Sequence, residues 1–260
     1  MPYADLHVHT TRSDGTLEPG AVPEAATRHG VDVVGLTDHD QLPPFAGVIE
    51  REGVVLLSGI ELRVEAANGH QVDLLGYNLE PTRALEQELD RLQDNRRKRG
   101  AAIVDCVEDR LGIDLEVDIG HGFGRPHVAQ AIDTNPDTDL DYHGAFADLI
   151  GSDGPCYRPR DIPSFETGRQ LLGDACQLVS LAHPLRYADP KATLELAPVL
   201  DAVERHYPYR KPVETAVVDR TIERYGLLET GGSDAHDDRL GRCGLSRAAF
   251  ERLEIDCSGT

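Results

Sequence analysis

The chain has 260 residues, with 46 Asp+Glu against 26 Lys+Arg and a formal net charge of −20. Its 40% apolar content can fill a sizeable core at this length, as one large domain or one domain with an insertion. No apolar run approaches the roughly 18 residues of a membrane span, so no membrane partner is expected. The opening Met1-Pro2-Tyr3-Ala4-Asp5 lacks the basic and apolar stretches of a secretory signal. An exterior this acidic repels phosphates at long range, which disfavours long duplex nucleic acid as a partner.

Only Lys98, Lys191 and Lys211 are lysines. A carboxylate-rich, lysine-poor surface suits concentrated salt, where the Debye length shrinks to about 3 Å and self-repulsion is screened. A halophilic setting is therefore expected. The five cysteines (Cys106, Cys156, Cys176, Cys243, Cys257) are odd in number and form no C-x-x-C pair. They predict neither a disulfide framework nor a zinc ribbon. A reducing, cytoplasmic setting is expected, with the cysteines packed as small apolar residues.

In chain order, Tyr3 to His7 reads as a buried strand and Pro19 to His29 as a helix ending at Gly30. Val31 to Thr37 is a strand, Pro44 to Glu50 a short helix, and Val54 to Leu62 and Val72 to Tyr77 two more strands. Leu85 to Leu111 has helical spacing and carries Arg91, Arg96, Arg97, Lys98 and Arg99. Pro126 to Asp133 and Gly144 to Ile150 read as further helices. Strands return at Leu178 to Ala182, Leu200 to Glu204 and Leu227 to Thr230, with a helix from about Val213 to Tyr225. Strand–helix alternation predicts a parallel α/β core of seven strands, barrel-like, formed by residues 1–80 and 165–260. Residues 81–164 read as a mostly helical insertion that covers the active site.

Chemistry-bearing residues sit at the ends of these strands. His7-Val8-His9 closes the first, and residues two apart on a strand share a face, so both imidazoles can grip one ion. Asp38-His39-Asp40 follows the second strand, Glu61 lies late in the third, His183 follows the fifth, and Asp234-Ala235-His236 follows the last. A parallel barrel places its chemistry at the C-terminal mouth of its strands. Imidazole and carboxylate without thiolate suit Zn, Mn or Fe. His29, His121, His143 and His206 read as surface histidines.

These motifs together resemble the PHP (polymerase and histidinol phosphatase) family. They are Asp5-Leu6-His7-Val8-His9-Thr10 with Ser13-Asp14-Gly15, Thr37-Asp38-His39-Asp40, Gly59-Ile60-Glu61, Ala182-His183-Pro184 and Gly232-Ser233-Asp234-Ala235-His236. The resemblance implies a distorted (β/α)7 barrel with two or three divalent ions (Mn, Zn, Fe or Mg). It assigns His7, His9, Glu61 and Asp234 to the first ion, Glu61 and His183 to the second, and Asp14, His39 and His236 to the third. Asp73 stands where the family usually supplies another His to the second ion. Asp is harder and more negative, which would shift preference towards Mn or Mg. His70 is the rival, but three residues away it faces the opposite side of a strand.

Within the family, the chain is similar to the branch acting on nucleoside 3′,5′-bisphosphates or on short RNA from its 5′ end. Gly124-Arg125-Pro126-His127, the Arg96–Arg99 cluster and His183-Pro184-Leu185-Arg186-Tyr187 carry that likeness. It implies phosphate binding by Arg125, His127 and Arg186, with His127 also helping to protonate the leaving oxygen. Arg96 and Arg99 would hold a second phosphate, Asp234 would be catalytic, and Glu204 would support a ligand. The expected partner is a small phosphorylated nucleotide or short RNA. Histidinol phosphate is the alternative substrate, and a non-catalytic PHP module the alternative class.

Overall fold

The computed structural model describes residues 1–120 and 122–257; His121 lies outside them. In chain order the strands are β1 (Ala4–Val8), β2 (Val33–Leu36), β3 (Val48–Arg51), β4 (Val54–Glu65), β5 (Gln71–Leu79), β6 (Cys176–Leu181), β7 (Ala202–His206) and β8 (Leu228–Gly231). The helices are α1 (Val22–Arg28), α2 (Arg83–Leu111), α3 (Arg125–Thr134), α4 (Tyr142–Ala145), α5 (Phe165–Ala175), α6 (Pro190–Leu194), α7 (Ala216–Tyr225) and α8 (Arg247–Glu251). No described helix is long and apolar enough to cross a membrane.

Seven strands form one path, β1-β2-β4-β5-β6-β7-β8. These are the seven read from the sequence. The path nearly closes, because His9 N donates to Ala235 O at 2.9 Å and Ala235 N to His7 O at 3.3 Å. Two expectations fail. The core is mixed, not parallel: β5 runs antiparallel to both β4 and β6. Reversing β5 brings its N-terminal end, and Asp73 with it, to the mouth formed by the C-terminal ends of the other strands. The segment Pro44 to Glu50 is also not a helix. It turns and enters β3, which pairs antiparallel with β4. Val48 and Ile49 are β-branched and fit a pleated edge better than a helix.

Helix α5 has no counterpart in the sequence reading. Ser164 caps it, accepting from Thr167 N, and it buries Phe165, Gly168, Leu172 and Ala175. Two internal glycines mask its helical character. Gly168 is required by packing, since a Cβ there would come within 2.3 Å of Val64 Cγ1.

The chain divides into two compact units, Met1–Gln87 with Ile162–Thr260, and Glu88–Asp161. The first holds the barrel, with Leu6, Val33, Leu57, Leu75, Tyr77 and Leu178 in one apolar cluster. Val8, Val34, Leu36 and Leu56 pack against Val22, Ala25 and Ala26 of α1 in another. The second unit has its own core around Ile103, Val107, Phe123, Val128, Ile132 and Ile150. Within it Cys106 and Cys156 form a disulfide. This corrects the expectation that all five cysteines pack as free thiols. They lie 50 residues apart in sequence, so no short motif announces the pair.

Candidate metal centre

The centre is built where β1, β2, β4, β5, β6 and β8 end or begin at one mouth. His7 and His9 do share a face, with ring centroids 5.1 Å apart and Nε2 atoms 3.1 Å apart. Four groupings place ligand atoms within 4.8 Å of one another: His7–His9–Glu61, His7–His183–Asp234, Glu61–Asp73–His183 and His9–Asp14–His39–His236. Every metal-ligand candidate read from the sequence falls in at least one of them. The rival His70 joins none; its backbone N–H donates to the Asn68 side chain.

Buried partners hold this constellation in place. Glu204 Oε1 lies 2.9 Å from His7 Nδ1, which turns Nε2 towards the centre, and Oε2 accepts from His183 N at 2.7 Å. Asp5 accepts from Ser233 N, Ser233 Oγ and Gly241 N, so it anchors the loop that carries Asp234. Asp38 accepts from Thr10 N, Thr10 Oγ1 and Ser13 Oγ, anchoring the loop that carries Asp14. Gly232 lies so close to β1 that a Cβ would come within 2.4 Å of His7 N and Cβ. His183 and Asp234 both adopt positive φ, 27° and 49°, a costly conformation that clusters at functional sites.

The donor set fits divalent ions. Glu61 Oε2 is buried 3.0 Å from His39 Nδ1, 3.2 Å from His9 Nε2 and 3.3 Å from His7 Nε2. It nevertheless has no hydrogen-bond partner, and neither have the buried Nδ1 atoms of His9 and His183. Buried polar atoms are rarely left unsatisfied. Glu61 Oε2, with three imidazole nitrogens within 3.3 Å and no hydrogen bond, is placed as a ligand atom would be.

Burial alone would push the Glu61 carboxyl up, but the imidazoles of His39 and His7 outweigh it and hold it well below the usual range. Asp234 is likewise held down, against burial, by His9 and His7. Burial would push His9 down, yet Asp234 and Glu61 lift it to about 9. Carboxylates and protonated imidazoles thus balance one another, and a cation would displace the protons.

Asp73 is already engaged. It faces Arg63 directly across the β4–β5 pair. Arg63 Nε and Nη2 donate to its two oxygens at 2.7 and 2.6 Å, and Tyr187 Oη donates to Oδ2 at 3.1 Å. Asp73 Oδ2 also lies 3.8 Å from His183 Nε2. The sequence reading missed Arg63. The Asn68-Gly69 turn signal, with Glu65 paired to Gln71, sets the register that places residue 63 opposite 73.

Asp234 divides its carboxylate. Oδ1 faces His9 at 3.2 Å and His7 at 3.6 Å. Oδ2 accepts from Tyr207 Oη at 2.7 Å and Arg186 Nη1 at 3.2 Å. Arg186 is thus beside the centre, its side chain 56% exposed.

The other phosphate candidates belong to the helical unit. Arg125 Nη1 donates to Ile150 O at 3.2 Å, and its guanidinium lies over the Tyr157 ring at 5.4 Å. His127 is exposed, stacks on Phe123 and accepts Gly124 N–H at Nδ1. Arg99 Nε donates to Arg158 O at 2.7 Å. Its pKa falls to about 10 through burial first and then the neighbouring Arg160 and Arg125. Arg96 is half-buried on the same helix, α2.

Among proteins similar in sequence, the phosphoribosyl 1,2-cyclic phosphate 1,2-diphosphodiesterase of Eggerthella lenta is 28% identical over 244 residues, covering 89% of this chain and 93% of that protein. The 3′,5′-nucleoside bisphosphate phosphatase of Chromobacterium violaceum is 26% identical over 260 residues, covering 91% and 88%. In fold, a crystal structure from Bifidobacterium adolescentis, described as that of a metal-dependent phosphoesterase, superposes with a TM-score of 0.79. It is 23% identical, over 99% of this chain and 98% of that one. The model of the PHP domain matches residues 5–121, a stretch that carries His7, His9, Asp14, His39, Glu61 and Asp73.

Proposed function

We propose that the chain is a metal-dependent phosphoesterase that hydrolyses a phosphate ester of a nucleoside 3′,5′-bisphosphate or of a 5′-phosphorylated short RNA. The observation that carries this reading is the packing of His7 and His9 Nε2 within 3.3 Å of the unsatisfied Glu61 Oε2 and within 3.6 Å of Asp234 Oδ1, in a chain whose relatives act on phosphorylated nucleotides and sugars. His7, His9, Glu61 and Asp234 would hold one ion, Glu61 and His183 a second, and Asp14, His39 and His236 a third. Bound divalent ions stabilise charge on phosphoryl oxygens and lower the pKa of water.

The chain's own residues supply the rest. Glu204 orients His7, and Asp5 and Asp38 fix the loops carrying Asp234 and Asp14. Arg186 offers its guanidinium fork to a phosphate beside Asp234. Arg125 and His127 are assigned to phosphate recognition, and His127 to protonation of the leaving oxygen, on the strength of their sequence context. The Arg99 guanidinium, whose pKa is lowered by burial first and then by Arg160 and Arg125, would gain from an anionic ligand in the helical unit. Arg96 and Arg99 are assigned to a further backbone phosphate of a short RNA there.

The test is a panel of substrates with Mn, Mg, Zn or Fe. It contains nucleoside 3′,5′-bisphosphates, mononucleotides, 5′-phosphorylated oligoribonucleotides, a ribose 1,2-cyclic phosphate and histidinol phosphate. Turnover of the bisphosphate or the oligoribonucleotide is expected. Turnover of the cyclic phosphate alone would favour the second reading, supported by the Eggerthella relative. Turnover of histidinol phosphate alone, or of nothing in a metal-loaded protein, would overturn the proposal.

A further inference from the structure

A cavity of about 690 Å³ opens beside Asp234 and His236, in the same unit as the metal centre. Its wall is the segment Tyr207-Pro208-Tyr209-Arg210-Lys211-Pro212-Val213 that follows β7, completed by Arg186 and Arg242. The volume is that of a small-ligand pocket.

This wall gathers positive charge in an acidic molecule. Several arginines elsewhere in this chain of net charge −20 pair with carboxylates, as in Arg28–Asp238, Arg205–Asp219, Arg239–Asp237 and Arg252–Glu229. Among the described residues, Arg210, Lys211 and Arg242 are all exposed, and no salt bridge joins them to a carboxylate, Arg242 acting on Asp237 only at longer range. Arg210 and Lys211 are adjacent, and Lys211 is one of only three lysines in the chain. Like charges left together repel one another unless an anion joins them.

The wall is also rigid and aromatic. Tyr207 is pinned by its hydroxyl to Asp234 at 2.7 Å. Tyr209 is pinned by its hydroxyl, which accepts Leu185 N–H at 3.2 Å. Their ring centroids lie 4.8 Å apart, and Pro208 and Pro212 restrict the backbone on either side. Aromatic faces ordered before binding can take a flat ring at little entropic cost.

We propose that this cavity is a second subsite, which takes the part of the substrate beyond the phosphate at the metal centre. Arg210, Lys211 and Arg242 bind a second phosphate, and Tyr209 offers a face to the ring of the nucleoside that carries it. The subsite rests on the phosphoesterase reading for its role in turnover, and on the cavity alone for binding. It makes a doubly phosphorylated nucleotide a better substrate than a singly phosphorylated one.

Two measurements test it on the full chain with Arg210→Ala/Lys211→Ala and with Arg242→Gln, exposed positions whose folding is checked by circular dichroism. The first is kcat/KM for adenosine 3′,5′-bisphosphate relative to adenosine 3′-monophosphate and 5′-monophosphate in the metal-loaded protein. The ratio is expected to fall at least about tenfold, the size of one lost charge-assisted contact. The second is calorimetric binding of adenosine 3′,5′-bisphosphate with EDTA present to stop turnover, which is expected to weaken by a similar factor. Ratios and affinities within twofold of the wild type would overturn the subsite while leaving the phosphoesterase reading intact. If the wild type turns over no phosphoester, that reading falls, and the binding measurement alone decides the subsite.

Discussion

Glu204 Oε1 lies 2.9 Å from His7 Nδ1, and both side chains are fully buried. This carboxylate fixes which imidazole nitrogen faces the centre, and its other oxygen fixes the backbone of His183. Supports of this kind are worth roughly 10–100-fold in metal affinity. Glu204→Gln should therefore lower metal affinity by about that factor while the fold persists, measured by metal analysis after dialysis against graded chelator. Unchanged affinity would show that Glu204 only packs.

Asp234 is the only candidate ligand whose carboxylate also takes hydrogen bonds from both Tyr207 and Arg186. Asp234→Asn should abolish phosphoester hydrolysis and reduce metal content, read by turnover and elemental analysis. Stripping metal from the wild type with EDTA should abolish activity too, and adding Mn back should restore it and raise the melting temperature. Wild-type turnover in the variant would refute the assignment.

Arg63 and Asp73 form a bidentate pair with the carboxylate almost wholly buried. Burial and the nearby Glu61 would push Asp73 up, but Arg63 holds it below the usual carboxylate range. Arg63→Ala leaves a buried carboxylate without its partner and should cost roughly 3 kcal/mol of stability. Chemical denaturation of the metal-free protein measures this. If Asp73 also ligates the second ion, saturating Mn should recover much of the loss, whereas a purely structural pair would show no recovery.

Arg125 combines a hydrogen bond to Ile150 O with an aromatic contact to Tyr157. Arg125→Ala should lower the stability of the helical unit by about 1–2 kcal/mol. It should also raise KM for the phosphorylated substrate without reducing metal content. Metal loss in this variant would make Arg125 a structural support of the centre instead.

The excess of carboxylates predicts that the protein gains stability with salt. Thermal melting should shift upward between dilute buffer and about 2 M KCl as self-repulsion is screened. A melting temperature independent of KCl would show that the acidic surface carries no such cost.

The sequence alone was enough for the seven strands of the barrel path, because each is a short apolar run bounded by turn residues, and local signals suffice for that. It also pointed to the gathering of His7, His9, Glu61, His183, Asp234 and His236, because each lies in or just after such a run, where a barrel gathers its chemistry. What it could not supply depends on pairings between distant segments. The reversal of β5 is invisible locally, since a buried strand has the same apolar run in either direction. The Arg63–Asp73 pair follows from hairpin register, the Cys106–Cys156 bond from the packing of the helical unit, and the hold of Glu204 on His7 from a contact across 197 residues. The charge of −20 was plain from composition. Only the folded chain shows that Arg210, Lys211 and Arg242 line one cavity beside Asp234 and His236, because where charges gather is set by loop geometry and not by their number.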